Sequence, residues 1–346
     1  MGLKHLISLA PILLLTAVLA LPPAASAESR VRLVVTGNLM GALKECRCPH
    51  GQPGGLARRK TIFDRLRAET PDAVFIDCGK IIRKDTDSSE IVLFGRLMMG
   101  LDYDLICGYI VDYEALAHAG FGVEVLPFNF ANLEWIRVID SLPNPFSASI
   151  KERRDSYKLS RTRIIKSSDT NLLFFTGTQF DDQPDSIAIA YKNAWFHPRF
   201  GQWTYRLREL DPRQSKLDLE QFPGFIIIVR NEIGLGEDEE EGLFNTTAVS
   251  ARRCPGLDLM LVGGGGFVEA EVKQQDGFLV AYPGLYGGYV LVIDLWTEDG
   301  KTVSRYEWEA IPTESVRPDP GFQAEMDSVY SQRGAINPKP GELIDK

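Results

Sequence analysis

The chain has 346 residues, 44% of them hydrophobic and 25% charged, with a net charge of −9. That is enough apolar material for one large domain or two modest ones, and it excludes global disorder and low-complexity architectures. The acidic balance repels polyphosphate backbones with no basic stretch to offset it, which argues against nucleic-acid binding, and four histidines leave little for an imidazole cluster.

Lys4 and His5 precede an apolar run from Leu6 to Leu21, and Ala25-Ser26-Ala27 supplies the small residues of a peptidase site. Residues 1–27 are therefore expected to be a cleaved signal peptide that sends the protein to the periplasm or outside the cell, the alternative being an uncleaved anchor. No later segment is apolar enough to span a bilayer, so no membrane span is expected after cleavage.

Strands and helices then alternate. Val31–Val35 is a compact β-branched run that ends in Thr36-Gly37-Asn38. After a turn-rich stretch, Leu56, Ile62, Phe63 and Leu66 line one face of a helix over 56–69. Ala73–Ile76 predicts a second buried strand closing on Asp77-Cys78-Gly79, Ile91–Met99 a helix, and Leu105-Ile106 a third strand. Further strands are expected at 126–132, 171–176, 225–229 and 257–262, and an acidic-headed helix at 235–251. From Phe278 the chain alternates as antiparallel strands (278–282, 289–295, 302–308), with a turn at Glu298-Asp299-Gly300. Residues 133–220 show little periodicity, and 316–346 read as a C-terminal tail. Domain 28–315 is taken as one unit, because no clear linker divides it.

The loops that end these strands resemble, in order, those of the calcineurin-like metallophosphoesterases, and specifically the N-terminal domain of secreted 5′-nucleotidases. Thr36-Gly37-Asn38-Leu39-Met40-Gly41 is similar to the family's T-N-D-x-H-G. Gly54-Gly55-Leu56-Ala57-Arg58-Arg59 matches the helix start that follows it, and Asp77-Cys78-Gly79-Lys80 stands for D-x-G-D. Gly108-Tyr109-Ile110 stands for G-N-H, Pro127-Phe128-Asn129-Phe130-Ala131-Asn132 for P-F-x-x-A-N, and Asn231-Glu232-Ile233-Gly234 for S-H-L-G. Asp258 to Gly264 resembles the lead into G-H-T-H. Seven such fragments fall in order over about 230 residues. The resemblance implies a four-layer α/β sandwich with mixed sheets and a site at the strand ends.

Residue by residue, the same resemblance implies that the chemistry is gone. The positions that would carry ligands are Asn38, Met40, Lys80, Tyr109, Glu232, Gly265 and Phe267, and the general-acid position is Ile110. A pair of divalent ions needs carboxylates and imidazoles from several loops at once. Lys80 instead puts a positive charge where the family places the bridging carboxylate, so no metal is expected at this site and no cofactor. Lys80 either pairs with Glu232 or reaches solvent, while Met40, Ile110 and Phe267 fill volume. The four glycines 263–266 fit a tight turn better than a phosphate loop, lacking a lysine or G-x-G-x-x-G spacing.

Five cysteines remain: Cys46, Cys48, Cys78, Cys107 and Cys254. Cys46-Arg47-Cys48-Pro49-His50 is a C-x-C-x-H grouping, and in the implied fold Cys46, Cys48, Cys78 and Cys107 share the site-bearing edge. Either Cys46 or Cys48 is expected to form a disulfide with a neighbour, within reach of Cys78 or Cys107, with Cys254 unpaired. The alternatives are ordinary buried thiols at Cys78 and Cys107, a thiolate-bound metal site at Cys46 and Cys48, a redox site, or none of these. Three functions stay open: an exported relative that has lost dinuclear hydrolysis and binds an unknown protein or small-molecule ligand, an active phosphoesterase with an altered site, and a cysteine-based redox or metal-binding protein.

Overall fold

The computed structural model describes residues 28–44, 54–83, 86–107, 110–122, 125–129, 133–137, 163–167, 169–180, 195–197, 201–207, 217–233, 254–264 and 269–332. At 110, 111, 114, 133–137, 177–180, 195–197, 201–207 and 230–233 it describes the backbone alone.

Fifteen strands in three sheets make up the β structure of the described residues. The first sheet is mixed. Its centre is β1 (Ser29–Thr36), which pairs in parallel with β2 (Val74–Asp77), and β2 in turn with β3 (Leu105–Cys107) and β4 (Phe128–Asn129). On the other side β1 pairs antiparallel with β14 (Tyr289–Thr297), and β14 with β15 (Arg305–Pro312). In the second mixed sheet β7 (Thr170–Phe180), β10 (Gly224–Ile233), β11 (Leu257–Gly263) and β13 (Phe278–Pro283) run parallel. Antiparallel edges β6 (Arg163–Ser167) and β12 (Ala270–Gln275) flank them. A small third sheet joins β5 (Leu133–Arg137), β8 (Trp195–His197) and β9 (Gly201–Leu207).

Alternation along the strands sorts side chains into layers. Val31, Leu33, Val35, Val74 and Ile76 point into a core shared with Leu172, Phe174, Phe225, Ile227, Leu259 and Leu261, so the two large sheets pack face to face. Val34, Phe75, Ile106 and Val292 point the other way, into helices α1 (Leu56–Glu69), α2 (Ser88–Leu101), α3 (Ile110–His118) and α4 (Pro320–Gln332). Because both faces of β2 are covered, it reads as an unbroken apolar run rather than an alternating one. The far face of the second sheet buries Phe175, Ile228, Met260, Val262 and Tyr282 with Leu219, Phe222 and Cys254. The layered α/β sandwich with mixed sheets is therefore the fold, while the acidic helix expected at 235–251 and the signal segment 1–27 lie outside the described residues. No helix among the described residues is long and apolar enough to cross a membrane.

Three element readings change. The run from Phe278 does not build one antiparallel sheet: β13 lies parallel to β11, whereas β14 joins β1 in the other sheet. Period-two alternation marks a strand but not its neighbour, and a turn with Gly284 (φ 77°) and Gly287 (φ 63°) carries the chain between sheets. The strand expected at 302–308 begins at Arg305, because the Asp299 carboxylate accepts from the amides of Lys301 and Thr302 and holds them in the turn. The strand expected at 126–132 shrinks to β4, and Leu133 opens the third sheet.

Beyond 315, α4 packs on α1 and α2, with Met326 buried and Phe322 against Gly100. Its helix is anchored by Asp319, whose carboxylate accepts from the Phe322 amide, and by ion pairs Arg96–Glu325 (3.0 Å) and Lys44–Asp327 (2.9 Å).

Candidate functional site

The parallel strands of both sheets end at one edge, and their loops meet there. Amides of the first loop donate to carbonyls of the second: Asn38 to Gly79 (2.9 Å), Met40 to Lys80 (2.8 Å) and Gly41 to Ile81 (2.8 Å). This ladder continues the β1–β2 pairing past the strand ends. It demands unusual backbone: Asn38, Met40 and Lys80 hold φ of 52°, 50° and 56°, and Tyr286, in the neighbouring turn, 55°. Non-glycine residues in the left-handed region cost energy that the surrounding structure must override. Four of the six such residues in the described chain fall around this one edge.

Asn38 is buried, and both ends of its amide are used. Nδ2 donates to the Gly284 carbonyl (3.1 Å), and Oδ1 accepts from the Gly264 amide (2.6 Å). Lys80 turns inward as well: its ammonium donates to the Gly264 carbonyl at 2.8 Å. Asn38, in the loop after β1, and Lys80, in the loop after β2, therefore hold both the amide and the carbonyl of Gly264, the residue that follows β11 of the second sheet. Backbone pairing places Glu232 at this edge too, one step beyond Asn231, which sits opposite Gly263. Ile110 opens α3. Tyr109, Gly265, Phe267, Cys46, Cys48 and His50 lie outside the described residues.

Beneath the loops lies a buried ionic network for which the sequence reading assigned no role. Arg59, one turn into α1 and 1% exposed, donates from Nη1 to Asp77 (3.1 Å), to the Tyr103 hydroxyl (2.9 Å) and to Thr36 (3.3 Å). Asp77, 0% exposed, also accepts from the Thr36 hydroxyl (2.8 Å) and the Gly79 amide (2.8 Å), so it fixes the turn that leads to Lys80. Burial raises the Tyr103 hydroxyl well above its ordinary value, though Arg59 opposes this, so it stays protonated and serves as a donor to Thr36. The signal was available: Arg59 is three residues from both Leu56 and Ile62, on the buried face of the helix.

Asp112 braces the second loop from α3, accepting from the amides of Ile81 (3.0 Å) and Ile82 (2.8 Å). Burial outweighs those bonds and pushes its carboxyl up to about 7, and burial does the same to Asp258 at the far end of β11. A carboxyl that holds its proton more tightly when folded contributes stability that is complete below its unfolded pKa. That contribution is lost as pH rises from about 4 through about 7. The thermal midpoint is expected to fall across this window, more steeply in the native chain than in Asp112→Asn. His118, whose pKa is lowered by the partial desolvation of its ring, works in the opposite sense. A midpoint that rises steadily from pH 5 to 8 would refute the assignment.

The described residues do not fit a pair of bound metal ions. An ammonium at Lys80, an Asn38 amide committed at both ends and a thioether at Met40 offer no hard anionic ligand, and no cluster of three or more histidine, cysteine, aspartate or glutamate side chains exists among the described residues.

No family model matches the sequence, and no curated protein matches it either. Solved structures do share its fold. The 5′-nucleotidase precursor of Thermus thermophilus superposes with a TM-score of 0.60 at 17% identity, over 88% of this chain and 59% of that one. The sulfate thiohydrolase SoxB of the same species, in complex with glycerol, gives 0.60 at 12% identity, over 90% and 61%. The calcineurin-like phosphoesterase YfkN of Bacillus subtilis gives 0.56 at 14%, over 88% and 98%. The chain thus has the calcineurin-like phosphoesterase fold, and it spans about three fifths of the length of the first two structures.

Proposed function

We propose that this chain is an exported protein built on the 5′-nucleotidase-like phosphoesterase fold that has lost dinuclear metal hydrolysis and works by binding a protein or small-molecule ligand. The observation that carries the reading is the Lys80 ammonium held 2.8 Å from the Gly264 carbonyl, since the sequence resemblance puts Lys80 in the place of the family's bridging carboxylate. A unit charge 4 Å from a divalent ion costs about 8 kcal/mol at an effective dielectric of 20, and two ions double that. Moving the lysine aside would break its bond to Gly264, which is itself held by Asn38. Export rests on the charged start, apolar run and Ala25-Ser26-Ala27 site of the sequence.

Calorimetric titration of manganese into the full chain tests the reading. No saturable binding at two ions per chain is expected at micromolar protein. Two tight sites whose heat is lost in Asn38→Ala or Glu232→Ala would overturn it.

A further inference from the structure

We propose that Cys78 and Cys107 form a reversible disulfide that ties the second and third loops of the site together. β2 and β3 run parallel, with Ile76 opposite Leu105 and Asp77 opposite Ile106, so the next step of the ladder sets Cys78 beside Cys107. Both side chains belong to the core between the large sheets, and both are 0% exposed. Same-face neighbours on adjacent strands lie about 4.8 Å apart, within the roughly 4.4–6.8 Å between Cα atoms that a disulfide spans. On the other side of Cys78 the ladder places Gly37, opposite Cys78 as Thr36 is opposite Asp77. A Cβ there would come within 2.9 Å of the Cys78 Cβ, so the glycine is what leaves that side chain its room. The row closes at Asn129, opposite Cys107, whose side chain is bonded to Thr176 of the second sheet (2.7 Å). Gly37, Cys78, Cys107 and Asn129 therefore form the last cross-strand row beneath the site loops.

Both cysteines are thiols in this structure, and the Cys107 Sγ donates to the Val229 carbonyl at 3.5 Å. Oxidation takes a disulfide reagent, small or protein-borne. The two thiols lose two protons and two electrons, one sulfur–sulfur bond forms between them, the bond of the reagent breaks, and it leaves as two thiols. Burial, Asp77 and Cys107 together push the Cys78 thiol well above its ordinary value. Cys78 in the folded chain is therefore a poor nucleophile, and its exchange waits for the loops to part. Once formed, the bridge pins the residue before Gly79 and Lys80, whose carbonyls carry the first loop, to the end of β3. This inference does not depend on whether the site binds metal.

The test uses the reduced full chain exposed to oxidised glutathione, quenched in acid, alkylated in denaturant and mapped by mass spectrometry after trypsin. Lys80 and Arg96 lie between the two cysteines, so the bridge joins separate peptides. The expected result is one linked pair containing Cys78 and Cys107, both unalkylated, with a thermal midpoint that rises on oxidation and returns on reduction. Cys107→Ala should abolish the rise. Alkylation of both residues overturns the proposal, as does a link from either one to Cys46, Cys48, Cys254 or glutathione in place of the pair.

Discussion

Asp77→Ala is expected to lower the unfolding free energy by about 3–5 kcal/mol, because it strands a buried guanidinium. Arg59 is 1% exposed, and its Nε and Nη2 already lack a hydrogen-bond partner, so the carboxylate is the sole charge that compensates it in the described network. Tyr103 and Thr36 would remain as neutral partners. The same change removes the acceptor that holds the Gly79 amide, which loosens the turn carrying Lys80. Against a typical total of about 5–15 kcal/mol this is a large fraction. Replacing both partners, as in Asp77→Leu with Arg59→Met, should recover much of the loss, since a buried ion pair is often no better than apolar residues of similar volume. Urea titration reads the difference. A loss below about 1 kcal/mol for Asp77→Ala, or a double variant no more stable than the single one, would contradict the network.

Much of the fold was legible because burial on both faces leaves a simple mark. β1, β2, β10 and β11 are short runs of aliphatic residues closed by a polar or glycine-rich loop, and α1 repeats its apolar positions at helical spacing. Strand partnership was not legible, as the separation of β13 from β14 shows. Edge strand β12 was missed because AEVKQQ offers little beyond Ala270 and Val272, although the Asp276-Gly277 turn that follows is a hairpin signal. Within the C-terminal segment, Phe322, Met326, Val329 and Tyr330 recur at helical spacing on one face and mark α4.

At the site, the loops could be placed from their resemblance, but the bonds between them could not. The Lys80 bond to the Gly264 carbonyl is one that no side-chain pattern reveals. The two roles of Asn38 are likewise contacts to backbone. Arg59 was visible as a charge on a buried helix face, yet its carboxylate partner lies on β2, 18 residues on.

The same geometry predicts the largest functional effect, the loss of metal-dependent turnover. A dinuclear site lowers the pKa of its attacking water and clamps both oxygens of the displacement, each contribution worth several kcal/mol. Nothing among the described residues replaces these terms, because Lys80 supplies positive charge but no ligand and Asn38 is held by Gly264 and Gly284. Restoring a single carboxylate with Lys80→Asp leaves the Asn38 and Met40 positions unchanged and is not expected to revive the reaction.

The most direct measurement is hydrolysis of nucleoside monophosphates and of a chromogenic phosphodiester by the full chain in excess manganese, zinc or calcium. Rates indistinguishable from the same metals without protein are expected, where a competent enzyme would accelerate the reaction by about 10⁶-fold or more. Robust metal-dependent turnover that disappears in Asn38→Ala or Glu232→Ala would contradict the loss of hydrolysis.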